Sequence, residues 1–306
     1  MSVFLILLLK ILPLYLLIIL GFLVGKFLKL QKENIAVILI YGIAPVIVFK
    51  GVMKADIVAS NLSLPFLFLG LGIALALSFF WLASFIWKDS TRNIIAFTSG
   101  TGNTGYFGLP VAVALFGNEY LPLMVLALLG TILYENSLGF YLVARGRHSK
   151  SESLQRLLKL PTIYAFVIAL VLNLSGVQFG GFYDQVTYGF QLAYTLLGMM
   201  IIGLGIASMP KIAFDFTFIS VAFLARFVAW PMVVLFLIFI DNTFFHFYGA
   251  EVQKIMILMS VVPLAANTVS YATLLKVQPE KSAMAVLLST IFALFFIPVM
   301  VMLFIN

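Results

Sequence analysis

The chain has 306 residues, 63% of them hydrophobic and only 9% charged, with a mean hydropathy of +1.17. A soluble domain carries about 25% charged residues, so this composition excludes a water-exposed surface and with it a soluble fold. The absence of cysteine excludes disulfides, thiolate metal sites and cysteine nucleophiles, and the net charge of +7 is scattered over short loops rather than gathered into a nucleic-acid-binding run.

Apolar runs long enough to cross a bilayer recur along the whole length. Charged and turn residues divide them into ten predicted spans, near 3–28, 33–54, 64–87, 92–116, 119–143, 161–178, 185–209, 216–240, 252–275 and 281–305. Span one lacks a basic leader region and reads as a membrane segment; its Lys10 is expected to snorkel. Span two carries Pro45 in "GIAP" and then Lys50, which either meets an anionic substrate or reaches to the interface. Span four contains "SGTGNTGYFGLP", Ser99–Pro110, whose Gly100, Gly102 and Gly105 are spaced as a dinucleotide fingerprint. No strand precedes them and no βαβ unit fits between the spans, so that reading fails. These glycines and Pro110 instead weaken a helix at mid-span. Span five holds Glu135 and Asn136 in "YENSLGF", and span eight holds Arg226 in an otherwise apolar run. Span nine reads "SVVPLAANTVSYATLLK", with Pro263 four residues before Asn267. His148 and His246 have no partner at metal-ligand spacing; both read as solvated, and no metal site is expected.

The basic residues set the orientation. Thirteen fall in the connections 1–2, 3–4, 5–6, 7–8 and 9–10, Lys211 among them, whereas the opposite side carries Lys50, Lys54 and Lys254. The positive-inside rule then predicts a multi-pass protein of the cell (inner) membrane with both termini outside the cytoplasm. The central polar connection, 144–160, is predicted to be a cytoplasmic linker between a first repeat, 1–143, and a second, 161–306.

The two halves echo one another. "GIAP" at Gly42–Pro45 resembles "GIASMP" at Gly205–Pro210, and Asn103–Thr104 matches Asn267–Thr268, at offsets of 163 and 164 residues. Five spans is an odd number, so the second copy enters the membrane inverted. The expected fold is all-α, with ten transmembrane helices as a 5+5 inverted repeat, a signature of secondary transporters. Matching interruptions in spans four and nine point to the substrate site, because half-helix N-termini there offer free N–H groups and partial positive charge to an anion. Helix packing by small residues is the competing explanation. The helix-break residues are Gly102, Pro110 and Pro263; the candidate substrate contacts are Asn103, Thr104, Gly105, Asn267 and Thr268. Ionisable residues at membrane depth are functional candidates by default. Glu135 can carry a coupling proton or pair with Arg226, Asn136 can hydrogen-bond substrate, and Arg226 must face protein or water.

Three stretches together resemble the auxin efflux carrier family: "GFLVGKFLKLQKENIAVILIYGIAPVIVFKGV", "NTGYFGLPVAVALFG" and "PLAANTVSYATLLKVQPEKSAMAVLLSTIFALFFIPV". Prokaryotic members of that family include permeases of malate and other carboxylates. The resemblance implies a fold like that of bile-acid symporters and sodium/proton antiporters, in which spans four and nine break and cross. It implies a scaffold of spans one, two, six and seven, a transport domain of spans three to five and eight to ten, elevator-type alternating access, and a homodimer through spans two and seven. Carried over by position, it adds Val48 to the substrate contacts. Two residues depart from the plant carriers: Glu135 stands where they have glutamine and Phe140 where they have tyrosine.

The sequence reading is therefore a secondary transporter of a small organic anion, without cofactor or nucleic acid, and with H+ or Na+ as the ion if transport is coupled. The alternative is a proton- or sodium-coupled cation antiporter on the same fold. An intramembrane enzyme is not expected, because no Asp or His lies at mid-span.

Overall fold

A computed structural model describes residues 3–54, 63–117, 120–209 and 214–304. Pro210 and Lys211 lie outside the described residues, as do the side chains of Lys10 and Pro110. The described residues are helical with no strands. In chain order the helices are α1 (Val3–Phe27), α2 (Lys32–Met53), α3 (Ser63–Ile86), α4 (Thr91–Ser99), α5 (104–116), α6 (121–144) and α7 (Lys150–Leu158). They continue with α8 (Pro161–Leu174), α9 (Gly181–Ala207), α10 (Phe216–Phe245), α11 (Ala250–Val261), α12 (Asn267–Leu275) and α13 (Pro279–Phe304). Among the described residues six helices, α2, α3, α6, α9, α10 and α13, are long and apolar enough to cross a membrane. The bent pair α7–α8, with 48° between its halves, makes a seventh if it counts as one crossing.

Several helices contain a wide turn in which the backbone takes an extra residue. Those at Ile38–Ile43, Thr104–Gly108 and Leu224–Ala229 are each followed two residues later by a proline: Pro45, Pro110 and Pro231. Proline has no N–H for the carbonyl four residues back, which here is Tyr41, Tyr106 or Phe227, inside the wide turn. Local widening of this kind lets an apolar helix keep its backbone satisfied around a proline. A fourth wide turn, Glu135–Gly139, has no such proline and closes at Gly139 against the Phe97 ring.

Glycine sets the closest packing. A Cβ on Gly21 would strike the Met200 carbonyl, and one on Gly203 would strike the Ile18 carbonyl, so α1 and α9 lie backbone against backbone. Alongside, α8 packs on α2, and Asn173 donates to the Val52 and Met53 carbonyls at 2.7 and 3.2 Å, capping the end of α2. A second group forms where α3 packs on α4 and α6.

Two sequence expectations are adjusted. Span six stops at Leu174 rather than 178, because Gly176 takes a left-handed φ of 72° and the Val177 amide returns to the Leu172 carbonyl at 3.0 Å. The linker contains a helix, α7. Ser149 accepts from the Glu152 amide while the Glu152 carboxylate accepts from the Ser149 amide, a reciprocal cap that "SKSE" spells in the sequence.

Candidate functional site

Glycine and proline interrupt two helices at the centre of the molecule. Residues 100–103 separate α4 from α5, and residues 262–266 separate α11 from α12. The two breaks touch: the Asn103 amide donates to the Pro263 carbonyl at 2.7 Å, and the Thr98 and Thr268 hydroxyls lie 3.4 Å apart.

Each break leaves carbonyls at a helix C-terminus that need donors. At the end of α4, Tyr134 Oη donates to the Ala96 and Phe97 carbonyls at 3.2 and 3.1 Å, and Trp230 Nε1 donates to the Ser99 carbonyl at 2.8 Å. At the end of α11 the donor is Arg226, which serves the Met259 and Val262 carbonyls. A cation suits a helix C-terminus, where partial negative charge collects.

The N-terminal ends differ as well. The first amides of α12 close on nearby carbonyls, Thr268 on Ala265 at 3.0 Å and Val269 on Ala266 at 2.9 Å. In α5 the Gly108 amide closes on Asn103 at 2.9 Å, while the Gly105 and Tyr106 amides have no acceptor among the described residues.

A cavity lies over the crossing. About 140 Å³ of it is open to the centres of water molecules, roughly ten times what one water needs. Its floor is Gly102–Tyr106 and Ala265–Asn267, and its walls come from α2, α6 and α9. The residues of α2 that face it are Ile47, Lys50, Gly51 and Lys54, a stripe at helical spacing. Lys54 is paired with Asp184 at 2.7 Å at the rim, whereas the Lys50 ammonium donates to Gln191 Oε1 at 2.9 Å and has no ion-pair partner among the described residues.

Glu135 joins the two breaks. It is buried, 4% exposed; Oε1 accepts from the Thr101 hydroxyl at 2.6 Å, and Oε2 accepts from Asn267 Nδ2 at 2.7 Å. Among the described residues no ion pair includes it, so the expected pairing with Arg226 does not form. Asn267 Nδ2 also donates to Tyr194 Oη at 3.2 Å, and Asn267 Oδ1 accepts from Tyr106 Oη at 3.4 Å. Asn103 is nearly unpartnered: Nδ2 lies 3.9 Å from the Met199 sulfur, and Oδ1 is buried with no hydrogen-bond partner.

The structure thus gathers Gly102, Asn103, Thr104, Gly105, Asn267, Glu135 and Lys50 around one cavity. Val48, Asn136, Thr268, Pro263 and Arg226 do not reach the lining. Val48 is buried off the α2 stripe. The Asn136 amide is committed to protein: Nδ2 donates to the Ile132 carbonyl at 2.9 Å, and Oδ1 accepts from Thr162 at 3.0 Å and Tyr271 at 2.9 Å. Thr268 faces Thr98, Pro263 accepts from Asn103, and Pro110 opens the regular part of α5 at Leu109–Phe116. Thr101, Gln191 and Tyr194 were not singled out from the sequence. Asp184, Thr187, Gln191 and Tyr194 recur at three- and four-residue spacing along an apolar helix, which is the signal that finds the last two.

The residues that build the first break lie in a stretch matched by a known family: the profile described as membrane transport protein covers residues 6–153. Over that stretch the chain is similar to that family. It is the auxin efflux carrier family that the motifs resemble. The chain is also 25% identical to an uncharacterised transporter of Methanocaldococcus jannaschii over 289 residues, which is 89% of this chain and 92% of that protein. Both comparisons are with transporters, and the apolar helices indicate a multi-pass membrane protein.

Proposed function

We propose that the protein is a secondary transporter of a small organic anion, a carboxylate such as malate or an auxin-like acid. The observation that carries this reading is the N-terminus of α5. Its Gly105 and Tyr106 amides, which have no acceptor among the described residues, line a cavity with Asn103, whose Oδ1 has no hydrogen-bond partner, and with Lys50, whose ammonium has no ion-pair partner among the described residues. Free amides and a helix dipole attract an anion, and an ammonium adds charge at short range. A carboxylate seated there accepts from the amides while Asn103 and Asn267 orient it.

In this reading the ten segments all cross the membrane as a 5+5 inverted repeat, with the termini outside the cytoplasm. Packing supports it. Span one (α1) pairs with span seven (α9) and span six (α8) with span two (α2), and these two pairings exchange when the halves are superposed. The same four spans are the proposed scaffold and supply the homodimer contact through two and seven. Spans three to five and eight to ten carry the crossing past it in an elevator movement. Glu135, held by one residue from each break, is the proposed H+ or Na+ coupling group. Its position in the cavity is also what favours the second reading, a proton- or sodium-coupled cation antiporter.

Uptake and efflux of labelled malate, other dicarboxylates and indole-acetate in proteoliposomes, with and without pH and sodium gradients, tests this. Movement of a carboxylate is expected. If none moves under any gradient while a pH gradient is dissipated by added cations, the antiport reading replaces it.

A further inference from the structure

Arg226 is the largest charged side chain buried in the described residues, 1% exposed, and it does not line the cavity. A charge at membrane depth is costly unless its donors are used. Its partners are two backbone carbonyls, Met259 and Val262, at the point where α11 stops being helical and Val262 turns to an extended ψ of 155°. The guanidinium also lies over the Trp230 ring, 5.1 Å from its centre. Trp230 follows Arg226 by four residues, so the two share a face of α10, and its Nε1 holds the Ser99 carbonyl at the end of α4. The indole in turn stacks on Phe68 of α3 at 6.3 Å. From the other side the guanidinium is pressed by Gly102, where any Cβ would strike it.

We propose that Arg226 is the positioning residue of the crossing. Together with Trp230 it grips the C-terminal ends of both broken helices from one helix, and through Gly102 it fixes where Asn103 stands relative to Asn267. The fork of the guanidinium supplies two donors in fixed geometry, which an ammonium cannot copy. The glycine at 102 is then required by the guanidinium rather than by backbone conformation. This inference deepens the transport reading by naming what aligns its site, and it can be tested without a substrate.

The chain has no cysteine, so Thr98→Cys with Thr268→Cys reports the crossing directly. The parent hydroxyls are 3.4 Å apart, and the two thiols are expected to form a disulfide rapidly under copper–phenanthroline in purified full-length protein, read by blocked maleimide labelling. Arg226→Gln is expected to slow that cross-link tenfold or more in the folded, monodisperse fraction. Arg226→Lys is expected to fall between, and Gly102→Ala to reproduce the slowing with the charge intact. If Arg226→Gln does not fold, Gly102→Ala and Arg226→Lys carry the test. A merely stabilising Arg226 lowers the melting temperature and leaves the cross-linking rate of the folded protein unchanged. That outcome in the folding variants overturns the proposal, as does a parent pair that never cross-links. Neither depends on whether a carboxylate is carried.

Discussion

The two breaks are built from similar residues and finished differently. The first ends α4 on neutral donors, Tyr134 and Trp230, and follows the closed Thr104 amide of α5 with Gly105 and Tyr106 amides that have no acceptor among the described residues, beside an Asn103 whose Oδ1 is unpartnered. The second ends α11 on the cation Arg226 and begins α12 with closed amides and an Asn267 bonded to Glu135, Tyr194 and Tyr106. One asparagine is therefore held ready and the other is already engaged. A paired motif in an inverted repeat need not mean paired roles: in the proposed site, the first half offers the anion seat and the second ties that seat to the buried carboxyl.

The largest test of this contrast is the pair of alanine variants. Asn103→Ala is expected to reduce carboxylate transport at least 100-fold with little change in melting temperature, since its carboxamide has almost no internal bonds to lose. Asn267→Ala is expected to reduce transport as much and also to cost about 1–3 kcal/mol of stability, because it strips a donor from buried Glu135. Equal stability losses in the two, measured by thermal unfolding in detergent, break the distinction.

Glu135→Gln comes next. It keeps the size and most of the hydrogen bonding but cannot change charge. Transport is expected to fall about 100-fold, the low end of what losing one proton-transfer group costs, and to become independent of the pH gradient. An unchanged pH profile removes Glu135 from coupling. Lys50→Gln is expected to act more weakly, raising the KM for the anion severalfold with little change in maximal rate, because the amides and dipole of α5 remain to hold the anion. An unaltered KM assigns Lys50 to the interface instead.

The smallest effect falls outside the cavity. Asp215 caps α10 through the Phe218 amide at 2.9 Å and pairs with Lys281 at 2.9 Å. Partial burial pushes its carboxyl up, but the Lys281 and Phe218 hydrogen bonds outweigh this and hold it below the usual aspartate range. A depressed carboxyl contributes stability above its unfolded value, about 3.9, and loses it as pH falls through the folded value. Asparagine caps a helix as well as aspartate, so Asp215→Asn is expected to cost only what the ion pair supplies, up to about 1 kcal/mol at pH 7, shrinking toward zero at the acid end. A cost that stays constant down to the acid limit excludes the charge as its source.

Much of this was legible in the residues, for physical reasons that also mark the limits. Glycine and proline in an apolar run have few explanations, so the breaks at Gly102 and Pro263 could be read directly, and Glu135 stood out because charge is rare there. Facing could not be read the same way. Adjacent residues on a helix point about 100° apart, so Glu135 on the cavity sends Asn136 away from it. Val48 lies off the lining by the same rule, because the stripe through Ile47, Lys50, Gly51 and Lys54 leaves it on another face. The caps on α4 and α11 were invisible because their acceptors are backbone carbonyls, which carry no sequence signal. The count of crossings rests on the same ground, since the halves of α4–α5 and α11–α12 are each too short to span alone.

The seam between α1 and α9 has a mechanical consequence. With Gly21 and Gly203 set directly against opposing carbonyls, no side chains lie between the two backbones to change rotamer and let one helix slip along the other. Any shift there would drive a carbonyl into a Cα, so the seam behaves as a weld. In the proposed elevator movement, the shear would then fall elsewhere, along faces whose longer side chains can exchange partners as they pass, with the welded pair as the rail against which that travel is measured.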